Sequence, residues 1–428
     1  MSTPLRLGIA GLGTVGAGVV KIVRQKGSLL ADRAGRPVTI SAVSARSKDK
    51  GRGVTLSQYV WEDDPVALAT RDDIDVYVEL MGGADGPAKA SVEAALRAGK
   101  DVVTANKAML AHHGQMLAQL AEDHGAVLRF EAAVAGGIPV IKALTEGLAG
   151  NDMDRVMGVM NGTCNYILTR MQSAGLPYAE VFEEANQLGY LEADPTLDVG
   201  GIDAGHKLAL LASVAFGTQV DFAAVELEGI ERITIDDITQ AADMGYRIKL
   251  LGVAQMSGRG LEQRMSPCLV PATSPLGQLE GGTNMVVLEG DQVEQVVLRG
   301  PGAGEGPTAS AVMGDVMDIA RGFRVSTFGV PAGSLSETTP AKTATPAPYY
   351  LRLSLEDKPG ALAKLASVLG DAGVSIDRMR QYRHDAGAAP ILIVTHKTTR
   401  DALDAAITGM DRLDVVKDAP VALRIETV

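Results

Sequence analysis

The chain has 428 residues, more than one hydrophobic core usually organises, so two or three domains are expected. A net charge of -12 and only 4% aromatic residues exclude a typical nucleic-acid reader, since acidic surfaces repel phosphate backbones and base stacking needs rings. No apolar run reaches the roughly 20 residues that cross a bilayer, and no basic head with an apolar core opens the chain, so no membrane span and a cytoplasmic location are expected.

Residues 5–10 read as a short buried strand, followed by Gly11-Leu12-Gly13-Thr14-Val15-Gly16 and a helix ending near Lys26. In that strand-turn-helix context the three glycines have distinct tasks. The first permits the tight turn, the second lets backbone approach a pyrophosphate, and the third allows close helix packing. A second strand covers 38–45, and apolar strands alternate with Ala-rich helices over 74–80, 87–98, 101–104, 109–124 and 126–131. That rhythm predicts an α/β fold with a Rossmann-type doubly wound sheet over residues 1–150. NAD sites usually place an acid after the second strand, but here that place holds Arg46, with Lys48 and Lys50 beyond. The charge suits a 2′-phosphate, so NADP preference or dual use with NAD is expected, a solvated basic loop being the alternative.

Longer amphipathic stretches follow, with strand-like runs at 265–270 and 292–298, and predict an α+β substrate and dimerisation domain over 151–306. Residues 300–307 are too glycine-rich for any regular element, and their amides are expected to face a ligand. Pro307 suits the first turn of a helix at about 307–322 that completes the first domain. Residues 331–348 read as an extended linker. Strands at 349–355, 374–382, 390–396 and 413–425 with helices at 360–372 and 399–410 give a βαββαβ unit over 349–428.

The densest chemistry lies between Ala185 and Lys207, where Glu192, Asp194, Asp198 and Asp203 crowd a Gly/Pro-rich segment leading into an apolar helix. Asp203 and Lys207, four apart, share one helix face, and a lysine fixed beside carboxylates makes a proton donor. This stretch resembles the signature of the homoserine dehydrogenases, matching at Ala185, Gly189, Asp194, Pro195, Asp198, Gly201, Asp203 and Lys207. Thr104-Ala105-Asn106-Lys107 and the run from Asn161 to Leu168 extend the resemblance across both halves of the core.

The resemblance implies NAD(P)H-dependent reduction of L-aspartate 4-semialdehyde to L-homoserine, a step of threonine, methionine and isoleucine biosynthesis. It implies Lys207 as proton donor, with Asp203 and Lys107 beside it, and Glu192, Asp198 and Asp203 holding the substrate. The cofactor is expected at the glycine turn, Arg46, Lys50, Thr104, Lys107, Gly189 and Gly304. A structural sodium ion is implied at Glu131, Val134, Gly136 and Ile138. His206 points to a different helix face from Lys207, and His112 and His113 follow an Ala/Leu helix start, so none is expected to bind metal. Cys164 is expected to pack near the substrate domain's first helix, because hydride transfer needs no thiol. Cys164 and Cys268 lack CxxC spacing, so neither zinc nor a disulfide is expected.

The C-terminal unit, with Asp357-Lys358-Pro359-Gly360-Ala361 after its first strand, resembles an ACT domain. It implies feedback by L-threonine at Asp357, Gly360, Ala361 and Asp377, or a unit that only dimerises; a homodimer or homotetramer is expected. A different amino-acid dehydrogenase would share the glycine turn without the 192–207 constellation, and a catalytically silent sensor would need no complete one.

Overall fold

A computed structural model describes residues 3–191, 194–337, 339–381 and 388–427. Six strands, β1 (Leu5–Ala10), β2 (Val38–Ser44), β3 (Val60–Trp61), β4 (Val76–Glu79), β5 (Asp101–Thr104) and β6 (Leu128–Arg129), form a sheet in the order β3-β2-β1-β4-β5-β6. Every pairing is parallel, and the strand order reverses between β1 and β4. Parallel sheets need both faces covered, which explains why Leu7, Ile9, Val76, Val78 and Val103 are fully buried. A crevice opens at such a reversal beyond the carboxyl ends of the strands.

A late helix packs against this sheet's first helix. It spans Glu305–Arg321 and packs on the Thr14–Gln25 helix so closely that a Cβ on Gly18 would lie 2.9 Å from Glu305 Cγ. Lys21 and Glu305 form an ion pair at 2.6 Å across the contact. The glycine-rich segment is more regular than expected: a strand runs through Gly300 to Pro301 and the helix begins at Glu305, leaving only Gly302 to Gly304 irregular. Strand pairing overrides glycine's weak propensity here, because Gly300 and Pro301 lie opposite Asn284 and Thr283.

The second sheet contains β7 (Met153–Val159), β8 (Glu226–Leu227), β9 (Tyr246–Ser257), β10 (Gly260–Pro271), β11 (Thr283–Gly290), β12 (Glu294–Pro301), β13 (Tyr349–Glu356), β14 (Ile376–Gln381), β15 (Ala388–Thr395) and β16 (Val421–Ile425). Their order is β12-β11-β7-β9-β10-β16-β13-β15-β14, with β8 beside β10. The C-terminal unit therefore shares a sheet with the catalytic region, through a parallel pairing of Cys268 with Arg424 and Leu269 with Ile425. It keeps its own apolar core, including Leu351, Leu365, Leu403 and Met410.

Two expectations are corrected. The strand expected at 413–425 is confined to Val421–Ile425, because Leu413 and Val416 pack as loop residues on the core. The 331–348 segment is not a free linker: Leu261 N donates to Thr339 O at 2.8 Å, Ala341 N to Leu261 O at 2.9 Å and Thr345 N to Glu262 Oε2 at 2.9 Å. Among the described residues no helix is long and apolar enough to cross a membrane.

Candidate active site

The three glycines of the first turn meet three different demands. Gly11 has φ +93°, and a Cβ there would lie 2.4 Å from the Leu80 carbonyl; one on Gly16 would lie 2.1 Å from the Gly11 oxygen; Gly13 faces open space. The Thr14–Gln25 helix that follows has neither a side-chain cap nor an acid in its first turn. Its leading N–H groups are left for an anion.

A cavity of about 450 Å³ lies beside the turn, with Gly11, Leu12, Gly13, Arg46, Lys50 and Arg52 in its wall. Arg46 and Lys50 are exposed there. Arg52, which sequence reasoning passed over, organises the loop: its guanidinium donates to Leu12 O at 3.1 Å, to Lys50 O at 2.7 Å and to Ser47 O, and stacks 5.7 Å from the Trp61 ring centre. Its only signal was a basic residue between Gly51 and Gly53.

Thr104 turns its side chain away from the crevice. It is fully buried and its hydroxyl donates to Glu79 Oε2 at 2.6 Å, while Glu79 Oε1 accepts from Met81 N at 2.7 Å and Gly82 N at 3.1 Å. Thr104 Oγ1 also accepts from Asn106 N at 3.0 Å. Its side chain shapes the crevice from behind, and Ala105 next to it lines the wall. Asn106 in turn caps the Lys107–Asp123 helix through Met109 N at 3.1 Å, setting Lys107 at the helix start.

A second cavity, of about 510 Å³, is lined by Val15 of the glycine turn, by Lys107, Asn161, Gly189, Asp198, Asp203, Lys207 and Gly304, and by other residues of both regions. Gly201, at φ +80°, turns the chain into the Ile202–Phe216 helix, which projects Asp203 and Lys207 from one face. Lys207 Nζ lies 2.7 Å from Asp203 Oδ2 and donates to Met160 O at 2.8 Å; Lys107 Nζ lies 3.0 Å from Asp203 Oδ1. Asn161 Nδ2 donates to Asp198 Oδ1 at 2.9 Å and to Asp203 Oδ2 at 3.3 Å. Burial alone would raise the Asp203 pKa, but the two ammoniums and their hydrogen bonds outweigh it and hold the carboxyl well below the usual range. An anion clamped between two cations keeps both lysines in place beside the crevice.

Glu192 lies outside the described residues. Asn161, which opens a run that resembles the family, belongs to the wall without having been given a role, and Tyr190 and Asn284 join it without having been singled out. Tyr190 stacks on Tyr166 at 4.5 Å. Asn284 is buried against Gly302, where a Cβ would lie 2.0 Å from its Nδ2, which explains one glycine of the 300–307 segment.

Glu131 is buried, and its carboxylate accepts from Ile141 N at 3.0 Å and Lys142 N at 2.9 Å. Burial and the neighbouring Asp315 push this carboxyl up to about 7; burial pushes Asp315 up to about 6. Val134 and Gly136 offer carbonyls that accept no hydrogen bond among the described residues, whereas Ile138 O accepts from Val140 N at 2.8 Å. The donors here are all oxygens, the kind a hard cation takes, and the described residues contain no group of three or more His, Cys, Asp or Glu suited to a metal.

In the C-terminal unit Gly360, at φ +86°, precedes the uncapped Ala361–Asp371 helix, with Asp357 exposed beside it. Asp377 is placed elsewhere. It enters β14 at the level of Val394, opposite Tyr350, while Asp357 follows Glu356, opposite Ala388. Strand rise separates the two levels by roughly 20 Å, so one copy does not bring both acids to one ligand.

His206 and Cys164 are packed away, whereas His112 is exposed and His113 Nε2 lies 2.9 Å from Asp85 Oδ1. His206 lies 4.2 Å from the Phe222 ring centre and 5.6 Å from His112, and burial pushes it down to about 4. The Cys164 thiol donates to Asp198 O at 3.3 Å, and burial pushes it well above its usual value.

Residues 139–317 match the family model described as homoserine dehydrogenase, 11–131 that described as homoserine dehydrogenase, NAD binding domain, and 349–408 that described as ACT domain. The chain is 41% identical over 433 residues to a homoserine dehydrogenase of Neisseria gonorrhoeae, covering 99% of each. It is similar to the crystal structure of a homoserine dehydrogenase from Thiobacillus denitrificans, with TM-score 0.93, 38% identity and 99% of each chain covered. A hyperthermophilic archaeal homoserine dehydrogenase in complex with NADPH matches with TM-score 0.64 and 27% identity, over 75% of this chain and 99% of that one.

Proposed function

The chain belongs to the homoserine dehydrogenase family, and from that premise we propose which residues carry the reaction. It is an oxidoreductase with a nicotinamide dinucleotide-binding domain and a C-terminal ACT domain. The proposed reaction is reduction of L-aspartate 4-semialdehyde to L-homoserine in threonine, methionine and isoleucine biosynthesis. A bound nicotinamide dinucleotide supplies the hydride.

In this reading Lys207 gives its proton to the carbonyl oxygen, and Lys107 offsets the negative charge that develops there. Asp203 positions both ammoniums and, with Asp198 and Asn161, meets the polar end of the substrate; Glu192 is assigned by resemblance to the ammonium. The observation that carries the reading is the Lys107–Asp203–Lys207 arrangement in a cavity it shares with Val15 of the glycine turn. Spectrophotometry of NADPH oxidation with the semialdehyde tests it. Turnover is expected in the native chain and is expected to fall by about 10²–10⁴-fold in Lys207→Ala; absence of turnover in the native chain would overturn it.

Three finer assignments belong to the same proposal. NADP is preferred over NAD, supported by the exposed Arg46 and Lys50 beside the cavity and by the archaeal relative's NADPH. Sodium is held by Glu131 with the carbonyls of Val134, Gly136 and Ile138, supported by the buried carboxylate and two uncommitted carbonyls. L-Threonine is sensed at the Asp357–Ala361 turn, supported by the helix amides left without a side-chain cap. A homodimer or homotetramer in the cytoplasm completes the reading.

A further inference from the structure

Lys249 is a buried charge that the proposed reaction leaves unused. It stands in β9 opposite Cys268 of β10, inside the second sheet. Burial pulls its ammonium down to about 8, against the attraction of the exposed Glu280. An ammonium taken out of water costs stability unless other groups replace its hydration. Here its Nζ donates to Asn165 Oδ1 at 3.0 Å and to Leu279 O. An apolar side chain would fill the same place without the desolvation cost, so the charge points to a task at its acceptors.

Those acceptors belong to two segments that meet at the wall of the catalytic cavity. Asn165 is itself buried, and its Nδ2 donates to Gly281 O at 2.7 Å. Ammonium and carboxamide together therefore hold two carbonyls of the turn between β10 and β11. The next residue of that turn, Gly282, lies against Gly162, where a Cβ would stand 2.6 Å from Gly282 O. Gly162, Thr163, Tyr190 and Gly282 all line the catalytic cavity, and the Thr163 hydroxyl donates to Tyr190 O at 2.9 Å. Asn165 also lies one turn along the Gly162–Ala174 helix from Asn161, whose carbonyl accepts from Asn165 N at 3.2 Å and whose carboxamide reaches Asp198 and Asp203.

Leu276 and Leu279 press the same turn onto the sheet. Apolar packing is non-directional, whereas hydrogen bonds fix orientation. The leucines set the depth of the turn, and the Lys249–Asn165 tether sets which way Gly282 faces.

We propose that Lys249 is a positioning residue for the reduction: through Asn165, Leu279 and Gly281 it fixes the Gly162–Gly282 side of the cavity and the placement of Asn161. It thereby sets the seat of the substrate, while the glycine turn and the Arg46 loop belong to the other domain. The inference rests on the dehydrogenase reading of this cavity.

Steady-state kinetics and NADPH titration on the full chain, well below Tm, test it with Lys249→Met and Asn165→Asp. Each variant is expected to lower kcat/KM for the semialdehyde by about 10–100-fold, the effect of a small misplacement of the reactants. KM for the semialdehyde should rise and kcat fall, with the Kd for NADPH unchanged, which also reports that the variant is folded. Asn165→Asp keeps an acceptor for Lys249 and removes only the donor to Gly281 O, so it decides the matter alone if Lys249→Met does not fold. Native kinetic constants in either folded variant, whatever the loss of Tm, are what a purely structural tether gives and would overturn the proposal. Equal weakening of NADPH and of the semialdehyde would overturn it too, as a general loosening. Absence of turnover in the native chain counts instead against the roles of Lys207 and Asp203.

Discussion

Lys107 Nζ stands 3.0 Å from Asp203 Oδ1, an ion pair that ties the first turn of a cofactor-domain helix to the first turn of the catalytic helix. The pair closes the crevice at the point where the reactants are proposed to meet. Asp203 is almost wholly buried and also pairs with Lys207 at 2.7 Å, so removing Asp203 would leave two ammoniums without their counter-charge.

Lys207 is proposed to donate a proton in the transition state. Lys207→Ala is therefore expected to lower kcat by about 10²–10⁴-fold with little change in NADPH affinity. Steady-state kinetics with NADPH titrated separately check this, and near-normal turnover would sink the assignment.

Asp203 has its folded-state pKa depressed. Its contribution to stability is thus fully present above the ordinary carboxylate range and is lost as pH falls through the depressed value, so it should not titrate in the working range. In Asp203→Asn the two lysines face each other without a counter-charge. The alkaline limb of the reduction profile should move to lower pH, with kcat also reduced; an unmoved limb would show that Asp203 does not hold the lysines' charge.

Glu131 is the opposite case, with a folded-state pKa raised to about 7. The folded chain then binds the proton more tightly than the unfolded one, and stability should fall as pH rises from about 4.5 to 7. Glu131→Gln is expected to flatten that dependence in Tm. Replacing KCl by NaCl at pH 8 should raise Tm by a few degrees in the native chain and not in Glu131→Gln, because a bound ion stabilises only the state that holds it. Equal response to both salts would remove the sodium assignment.

Arg46 is exposed at the first cavity, while Arg52 is spent on loop carbonyls. Arg46→Ala should weaken NADPH by roughly 10–100-fold and NADH far less, in line with loss of one charged hydrogen bond. Arg52→Ala should weaken both cofactors by disordering the loop. Fluorescence titration with each nucleotide separates the two effects, and equal losses in Arg46→Ala would remove the 2′-phosphate role.

Both thiols are fully buried, and burial pushes each of them up. Iodoacetamide at neutral pH should leave activity unchanged over the time in which a small free thiol is consumed. Parallel loss of activity and of one thiol would place a cysteine in the reaction.

Much of this protein was legible in one dimension because the relevant physics is local. The strand-turn-helix around Gly11, Gly13 and Gly16, the i, i+4 pairing of Asp203 with Lys207, and the alternation of apolar strands with Ala-rich helices all follow from periodicity and backbone freedom over a few residues. Whatever depends on distant segments was decided only when the chain closed. Lys107 reaches Asp203, Thr104 turns inward to Glu79, and β16 joins the ACT domain to β10. These meetings are settled by which surfaces exclude water together and which buried polar groups must find partners, and no local pattern encodes either.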